Sequence, residues 1–418
     1  MSKEKEIEIL KPLVDELLQL SSTQINEQKK KMWAEHQSLS RNTKIPVCVY
    51  YECIPDSQWK LMLGENFLKS ESNLGKKIEF DLRKRLWMAK NVPDDHIVLP
   101  FIVVKSILAQ DVNWGVPLKW VGSGESDTPD LEAKRIEPPF KEKINLNKLK
   151  FADIEIDEKA NSVLVEEANK LVEGRVPVFI YYHNLEYSPF DKAVEFRGLE
   201  NLLYDVIDVP NEVHSLMDFI VTNYEKHHKN REEKGWINCI SIDSKYKLVS
   251  FRVHSAFLSK DFNPKKPRLC DEWAYIAAQT SSGLSPTMYE EFVQPYNVRL
   301  ARFFTNNTVY YHGCENLDKK INAISTLPNL RRFHVSPWSS VKVAQEKFKE
   351  SVVLEIHTHP GKVFFGFTKE DMKSDIKKLV EEAKGSIFDL NLSDIHSVNN
   401  NPKLLTMWAE AAQEIVGG

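Results

Sequence analysis

The sequence predicts an α/β protein, specifically a (β/α)8 TIM barrel that follows an N-terminal helical extension. The first observation behind this prediction is that short apolar segments alternate with amphipathic helical segments through the second half of the 418-residue chain. Alternation with short connections is typical of parallel α/β folds. The second observation is that neither a GxGxxG nor a GxxxxGK(S/T) motif follows a predicted strand. This favours a barrel over a nucleotide-binding open sheet.

The extension contains a helix predicted at Ile7–Leu20, where apolar residues recur at intervals of three and four. We place the domain boundary so that residues 1–44 form the extension and residues 45–418 form the barrel. The β-branched and aromatic segment Ile45–Pro55 predicts the first strand, and the similar segment Val176–Pro189 predicts a later strand.

The remaining elements follow one another regularly along the chain. Further strands are predicted at Trp236–Asp243, Val309–His312, Arg332–Ser336, Val352–His357 and Ser386–Leu392. Another strand is predicted to end at Leu269–Cys270. Helices are predicted at Asn211–Lys226, Pro286–Phe304, Leu317–Ile324, Ser340–Lys349, Lys369–Ala383 and Pro402–Val416. The carboxyl ends of barrel strands form the face that carries the active site, so the residues that end these strands are the candidates for function.

Composition and charge exclude several classes of protein. The formal net charge is -4 and no long basic segment occurs, so we expect no nucleic-acid binding. No apolar run approaches the roughly 20 residues of a membrane span, and the charged N-terminus has no apolar secretory core. The five cysteines are few and scattered, which is typical of a reducing cytoplasm. We therefore expect a cytoplasmic protein, and the sequence leaves its oligomeric state open.

Ionisable or metal-binding side chains occupy the ends of five consecutive predicted strands. They lie in the segments Cys270–Glu272, His312–Glu315, His334–Trp338, Glu355–His359 and Asp389–Asp394. Residues i and i+2 of a strand point to the same side. The sets that share a face by this rule are His312 with Cys314, Glu355 with His357 and His359, and Asp389 with Asn391. Such groups are costly to bury without partners, a metal or a substrate.

Each of these groups has a structural and a functional interpretation. His312 and Cys314 are either an ordinary strand end or a pair of metal ligands. The segment Glu355–His359 is either a hydrogen-bonded polar plug or part of a catalytic site. The acidic pair Asp271–Glu272 either caps the helix that follows or acts in the site.

The segment Cys270–Phe304 resembles the uroporphyrinogen decarboxylase superfamily, in its corrinoid-dependent methyltransferase-like branch. The resemblance rests on an acidic pair, a glutamine and a Ser-Pro-x-x-Tyr-x-x-Phe-x-x-Pro-Tyr motif, at Asp271–Glu272, Gln279 and Ser285–Tyr296. Further matching segments lie at Trp33–Val47, Leu327–Arg332, Ser336–Ser339 and Asp394–Trp408. The match therefore touches both ends of the predicted barrel and is dense from Cys270 onward.

The resemblance implies a (β/α)8 barrel with one of two chemistries. The porphyrinogen decarboxylases carry an arginine-rich loop after the first strand, whereas Tyr51–Pro55 contains no arginine. The other branch transfers methyl groups between a small molecule and a separate corrinoid protein. Members of that branch that act on coenzyme M hold zinc with a His-x-Cys pair and a later cysteine. His312 and Cys314 match the pair, but no cysteine follows Cys314. The third ligand stays open among Glu272, Glu291, Glu355, His357 and Asp389.

The ligand types bear on the substrate. A zinc site with fewer thiolates is a stronger Lewis acid, which suits an ether oxygen that must leave as a phenolate better than it suits thiol activation. Together with the resemblance, this implies a methyltransferase I component of an O-demethylase. It is expected to move a methyl group from a small methylated donor, an aryl methyl ether, to the reduced corrinoid (cobalamin type) of a partner protein, with zinc or acid activation of the leaving group.

Two other classes of function remain as alternatives. One is a metal-independent decarboxylase, a lyase acting on a small or tetrapyrrole carboxylic acid. The other is a non-catalytic protein that only binds a small molecule or another protein. If the protein bound no zinc and transferred no methyl group, these alternatives would be favoured.

The residues expected to form the site fall into three sets. Catalytic roles are expected for His312, His357, Glu355, Asp271 and Asp394. Substrate contacts are expected from Glu272, Trp273, Tyr311, Trp338, His359 and Asn391. Zinc ligands are expected to be His312, Cys314 and Glu272. The aromatic members of these sets are included because their rings can enclose an aromatic substrate.

Overall fold

A computed structural model describes residues 2–122, 134–185, 188–238, 240–241, 247–248, 263 and 266–417. The strands among these residues are β1 Val47–Val49, β2 Ile102–Lys105, β3 Lys119–Gly122, β4 Lys134–Glu137, β5 Val178–Tyr181, β6 Ile240–Ser241, β7 Lys247–Leu248, β8 Ala274–Ala277, β9 Val309–His312, β10 Leu330–Val335, β11 Val353–His357 and β12 Ile387–Leu392. The predicted strand Trp236–Asp243 lies partly outside the described residues.

Helices connect many of the strands. They are α1 Lys3–Ser21, α2 Gln24–Gln37, α3 Asp56–Leu63, α4 Asn73–Asn91, α5 Glu158–Leu171, α6 Pro189–Arg197, α7 Leu199–Asp208, α8 Pro210–Lys234, α9 Pro286–Phe292, α10 Gln294–Ala301, α11 Ile321–Ile324, α12 Val341–Phe348, α13 Pro360–Phe365, α14 Lys369–Glu382 and α15 Lys403–Gly417. No helix in the described part of the chain is both long enough and apolar enough to cross a bilayer.

The central sheet is parallel and has six strands in the order β8, β9, β10, β11, β12 and β1. From β8 to β12 the neighbours in the sheet are also consecutive strands in the chain, and β12 then pairs with β1. A separate parallel pair joins β2 to β5, and β3–β4 and β6–β7 are short antiparallel pairs. The α/β prediction is therefore confirmed. The ladders among the described residues do not form a closed barrel.

The strands β9 to β12 have one apolar and one polar face, and both are buried. Tyr311, Phe333, Leu354 and Leu390 belong to the main apolar core. The residues that alternate with them form what we call the polar face: Tyr310, His312, Arg332, His334, Glu355, His357, Asp389 and Asn391. Because water does not reach these side chains, they must satisfy one another's hydrogen bonds.

The helices α9, α12 and α14 begin at side-chain caps. In α14, Thr368 Oγ1 accepts the backbone N–H of Asp371 at 3.2 Å, and Asp371 Oδ2 accepts the backbone N–H of Thr368 at 2.9 Å. This capping box satisfies two amides that the first helical turn leaves unpaired. The helix then buries Met372 and Ile376, which lie on one face, against the core.

The first helix packs directly on the body of the protein. Leu10, Val14 and Leu17 recur at helical spacing along α1 and are fully buried. They share an apolar cluster with Ile78 and Leu82 of α4. The burial of one apolar stripe explains why this polar, Lys- and Glu-rich segment is helical.

The second helix reaches the sheet itself. Trp33 Nε1 donates a 2.8 Å hydrogen bond to the carbonyl oxygen of Asp95, and His36 Nε2 lies 2.8 Å from Asp389 Oδ2. Both side chains of α2 are buried. The first 44 residues thus supply a partner to the polar face. The boundary that we place after residue 44 stays a prediction.

The segment before β8 differs from the expectation. The prediction that a strand ends at Leu269–Cys270 is wrong, because Leu269–Asp271 is a 3-10 turn and the strand follows at Ala274–Ala277. The turn is closed by Asp271, whose Oδ2 accepts the backbone N–H of Arg268 at 3.0 Å. The acidic pair Asp271–Glu272 therefore lies at the amino end of β8, whereas the carboxyl end is the one beside His312.

Buried histidines of α8 make stability depend on pH. Burial, with a smaller effect from Arg231, lowers the pKa of His227 to about 3. In the unfolded chain a histidine has a pKa of about 6.5, so at pH 5 the unfolded state binds a proton that the folded state does not. The free energy of unfolding is expected to fall between pH 7 and pH 5, by about 2 kcal/mol for His227 alone.

Denaturant unfolding at several pH values measures this effect. His227→Gln should remove that part of the pH dependence, and His396→Gln, which changes an exposed histidine, is the matched control. An unchanged pH dependence in a folded His227→Gln protein would contradict the expectation.

Candidate metal centre

Arg332 of β10 lies at the centre of the polar face and is fully buried. Its Nη2 and Nε donate to Glu355 Oε2 at 2.6 and 3.1 Å. Its Nη1 and Nη2 donate to the two oxygens of Asp389 at 2.7 and 2.9 Å. Burial by itself would raise the pKa of both carboxyl groups, but Arg332 and the neighbouring histidines together outweigh it, and the pKa of Glu355 falls well below its ordinary range. Arg332 contributes most to keeping the two carboxylates charged in the interior.

The second carboxylate oxygen of Glu355, Oε1, fixes the orientation of Tyr310 and His357. Its Oε1 accepts from the hydroxyl of Tyr310 at 2.7 Å and lies 2.8 Å from His357 Nε2. An ionised carboxylate can only accept hydrogen bonds, so the proton of His357 is on Nε2. His357 Nδ1 then accepts the hydroxyl proton of Ser393 at 2.7 Å. The tautomer of His357 is therefore fixed.

Tyr310 in turn orients His312. Burial and the neighbouring Glu355 raise the pKa of Tyr310 well above its ordinary range, so the hydroxyl keeps its proton and directs it to that carboxylate. The Tyr310 oxygen then accepts from His312 Nδ1 at 2.9 Å. With that proton on Nδ1, a neutral His312 ring carries its lone pair on Nε2, which lies 3.1 Å from Cys314 Sγ. Metal-binding histidines usually donate their second N–H in this way.

His334 completes a group of three potential ligands. One ligand atom from each of His312, Cys314 and His334 lies within 4.8 Å of the others. His334 Nε2 is buried and finds no hydrogen-bond partner among the described residues, which is costly for a polar atom. Burial, helped by His357 and His312, lowers the pKa of His334 well below its ordinary range, so this ring is neutral and able to bind a metal.

These donors fit a zinc ion. Zinc accepts histidine nitrogen at about 2.0 Å and cysteine sulfur at about 2.3 Å, in a tetrahedral arrangement. Two imidazoles and one thiolate supply three of the four positions. Asp394 Oδ2 lies 3.9 Å from Cys314 Sγ, so a carboxylate is also close to the group. The fourth position can therefore be filled by Asp394 or by a substrate atom.

The glycine between His312 and Cys314 makes room for a buried carboxyl group. A Cβ atom on Gly313 would come within 2.8 Å of Glu315 Oε2. Both carboxyl oxygens of Glu315 are buried without a hydrogen-bond partner among the described residues. Burial raises the pKa of Glu315 to about 7. A side chain at position 313 would displace this group, which accounts for the His-Gly-Cys order.

The two acidic residues predicted at the end of a strand lie elsewhere. Glu272 is buried and forms an ion pair with Arg231, whose Nη2 donates to the two carboxylate oxygens at 2.8 and 2.7 Å. Asp271 closes the turn before β8. The structure therefore places His334, and not Glu272, in one group with His312 and Cys314.

Three predicted substrate-binding residues are buried within the protein. Tyr311 faces the apolar core, where its hydroxyl lies 2.8 Å from the hydroxyl of another buried tyrosine. Trp273 is buried in a small aromatic cluster with Tyr310. Asn391 is fully buried and donates to Asp389 Oδ1 at 2.6 Å. The contacts of Asn391 and Tyr311 are thus with the protein itself.

The other two, Trp338 and His359, lie together near the ends of neighbouring strands. Trp338 follows β10 and is 60% exposed, and His359 follows β11. Their rings meet edge to face with centroids 4.9 Å apart. His359 Nδ1 is buried and has no hydrogen-bond partner among the described residues. This pair forms an aromatic surface beyond the ends of β10 and β11, with one buried ring nitrogen behind it.

Several residues of the site were not predicted from the sequence. Tyr310 and Arg332 lie two positions before His312 and His334, so the rule that alternate residues share a face would have found them. His36 lies 353 positions before its partner Asp389. No local pattern points to that contact.

Comparison with known proteins gives a likeness of fold. No protein-family model matches the chain, and no curated protein matches it. Among the solved structures that match, one is a methyltransferase from Methanosarcina mazei. The two proteins are 12% identical, the match covers 92% of this chain and 98% of that chain, and the TM-score is 0.51. The described architecture therefore has a counterpart of nearly the same extent.

Zinc content tests the ligand group. His312→Ala, Cys314→Ser and His334→Ala should each remove about one zinc ion per chain after dialysis, because each deletes a ligand. Tyr310→Phe should weaken zinc binding by about 10- to 100-fold, since it removes the oxygen that fixes the His312 tautomer.

Glu272→Gln is the matched comparison for these variants, because Glu272 pairs with Arg231. It should keep the zinc. Zinc lost from Glu272→Gln but kept in His334→Ala would instead favour Glu272 as the third ligand.

Removal of Arg332 should leave two buried carboxylates unpaired. Arg332→Met is expected to lower the free energy of unfolding by about 3–5 kcal/mol. Arg332→Lys should cost less, because it keeps the charge but cannot form the two-sided set of hydrogen bonds. Denaturant unfolding measures both variants, with Arg302→Met, at an exposed arginine, as control. A loss no larger than in that control would show that the network does not stabilise the protein.

Proposed function

We propose that this protein is a methyltransferase that moves a methyl group from a small methylated donor, an aryl methyl ether, to the reduced corrinoid of a separate protein. The observation that most supports the proposal is the group His312, Cys314 and His334 at the carboxyl ends of parallel strands. Zinc ligands at such a place suit activation of an ether oxygen. The likeness in fold to a methyltransferase over nearly the whole chain agrees with this class of reaction.

We further propose that the two parallel ladders are parts of one (β/α)8 barrel. The side of β1 that faces away from β12 is bonded to residues 94–95: Asp95 N donates to the Val47 oxygen at 2.7 Å. The carboxylates of Asp95 and Asp94 accept from Val47 N and Val49 N, both at 2.9 Å. Because residues 94–95 lead into β2, the chain continues the sheet beyond β1. The pairing of the first strand with the last is also what closure requires.

In the proposed reaction the carbon–oxygen bond of the donor breaks, the methyl group passes to the partner's cobalt, and the released oxygen gains a proton. A zinc ion held by His312, Cys314 and His334 would supply Lewis acidity toward that oxygen. The hydrogen bond from His312 Nδ1 to Tyr310 keeps the ligand nitrogen unprotonated. Since the protein holds these groups in place beforehand, no reorganisation is needed when charge develops.

Binding of the donor is assigned to the exposed aromatic pair. Trp338 and His359 offer two faces against which an aromatic ring can pack. His359 Nδ1, which has no hydrogen-bond partner among the described residues, is the candidate proton donor, since Glu355 and Ser393 engage both ring nitrogens of His357. Arg332 is not available to hold a substrate carboxylate, because Glu355 and Asp389 occupy it. This argues against the decarboxylase alternative.

Methyl transfer to reduced cobalamin tests the proposal. The zinc-loaded protein is mixed with methoxylated aromatic compounds and free or carrier-bound cob(I)alamin, and methylcobalamin and the phenol product are measured. Cys314→Ser should lower the rate at least about 10-fold, whereas Cys270→Ser, at a half-buried cysteine outside the ligand group, should not. Trp338→Ala should raise KM more than it lowers kcat.

The outcomes separate the classes of function. A zinc-loaded protein that transfers no methyl group to either form of cobalamin contradicts the proposal. Release of carbon dioxide from carboxylic acids by the metal-free protein would instead favour the decarboxylase hypothesis.

A further inference from the structure

A second group of potential ligands shares no residue with the first. Cys48 of β1, Asp94 and His96 each offer one ligand atom within 4.8 Å of the others. All three are buried, with exposed fractions of 0%, 5% and 8%. Buried ionisable groups of three different kinds are rarely brought together for packing alone.

The geometry within this second group orders one imidazole. Asp94 Oδ2 lies 2.6 Å from His96 Nδ1 and also accepts the backbone N–H of Val49 at 2.9 Å. Cys48 Sγ lies 3.5 Å from His96 Nδ1 and 3.9 Å from His96 Nε2. The carboxylate at Nδ1 fixes the ring and leaves His96 Nε2, 3.9 Å from Cys48 Sγ, as the nitrogen that can bind a metal.

A cavity of about 210 Å³ gives access to this group. Asp94 and His96 form part of its wall, together with Asn26, Lys29 and Tyr51. This volume is ample for a hydrated ion to enter, since a single water needs only about 30 Å³. The group is thus buried in the protein but lies at the wall of a cavity.

The thiol of Cys48 is not placed to act as a nucleophile. Its apolar neighbours include Trp33, Tyr50 and Ile97. Burial, with a smaller effect from Asp94, raises the pKa of Cys48 well above its ordinary range. A thiol in such surroundings is inert unless a metal replaces its proton.

The group also lies at a particular place in the fold. Cys48 is the middle residue of β1, the strand at the edge of the six-stranded sheet. Across that edge, Asp94 and Asp95 bond the amides of Val49 and Val47 with their side chains, where a neighbouring strand would use its backbone. Residues 94–96 are therefore held to β1 by these two side chains and by one backbone hydrogen bond, from Asp95 N to the Val47 oxygen. An ion between Cys48 and His96 would add a bond at the same edge.

We propose that Cys48, Asp94 and His96 form a second zinc site, which fixes the segment around residue 95 to strand β1. Histidine, cysteine and aspartate are all ligands that zinc accepts, and a site of this kind stabilises the fold. The inference does not rest on the proposed methyl transfer, and its test does not use activity.

Zinc stoichiometry is the first measurement. The unmutated 418-residue protein, equilibrated with zinc and dialysed, should contain about two zinc ions per chain. The double variant His312→Ala/Cys314→Ser should keep about one, and Cys48→Ser should also keep about one. Cys270→Ser is the matched cysteine control and should keep both. In the double variant, added zinc should still raise the melting temperature, whereas in Cys48→Ser this stabilisation by the second site should be lost.

Two results would overturn the proposal. One is a folded Cys48→Ser protein that binds as much zinc as Cys270→Ser. The other is a double variant His312→Ala/Cys314→Ser that is shown to be folded and contains no zinc. This result does not depend on whether Cys48→Ser folds.

Asp94→Asn gives a further test, because it keeps an acceptor for the Val49 amide and removes the charge. Added to the double variant, it should lower the affinity for the remaining zinc ion. An unchanged affinity would also count against the proposal.

Discussion

The ion network of one arginine and two carboxylates, buried between strands, sets the conditions for the rest of the polar face. Arg332 holds Glu355 on one side and Asp389 on the other, and all three are buried. Such a group is tolerable only when its remaining hydrogen-bonding capacity is used. Tyr310 and His357 form the remaining hydrogen bonds to the carboxylate of Glu355, and His36 and Asn391 form those to the carboxylate of Asp389. The orientation of His312, and with it the geometry of the candidate ligand group, follows from this set of contacts.

The sequence predicted those parts of the molecule that depend on neighbouring residues. Strand β9 lies at Val309–His312, as the apolar pattern indicates. The spacing of His312 and Cys314 is also local, and the structure brings their nitrogen and sulfur to 3.1 Å. The segment before β8 was misread because the real strand, Ala274–Ala277, is short and rich in alanine, a weak strand signal. That misreading placed Glu272 among the expected zinc ligands.

The contacts that the sequence did not reveal join residues on different elements. His334 meets His312 only because β10 pairs with β9 in a register that shifts between Leu330 and Arg332. Such a register is set by packing and cannot be predicted from the sequence of either strand alone. Arg231 finds Glu272 across 41 positions of the chain. Periodicity identifies which side of a strand a residue occupies, but not which residue of another element faces it.

The pairing of β1 with β12 also determines the order in which the protein can assemble. Strand β1 and His36 are synthesised well before their partners in β12, and His36 and Asp389 are 353 positions apart. Contacts of such long separation carry an entropic cost and slow folding. During synthesis the edge of β1 that faces β12 therefore has no partner until β12 has been made. We infer that docking of α2 and β1 on β12 is a late event in folding, and that the polar face gains its final charge balance only at that moment.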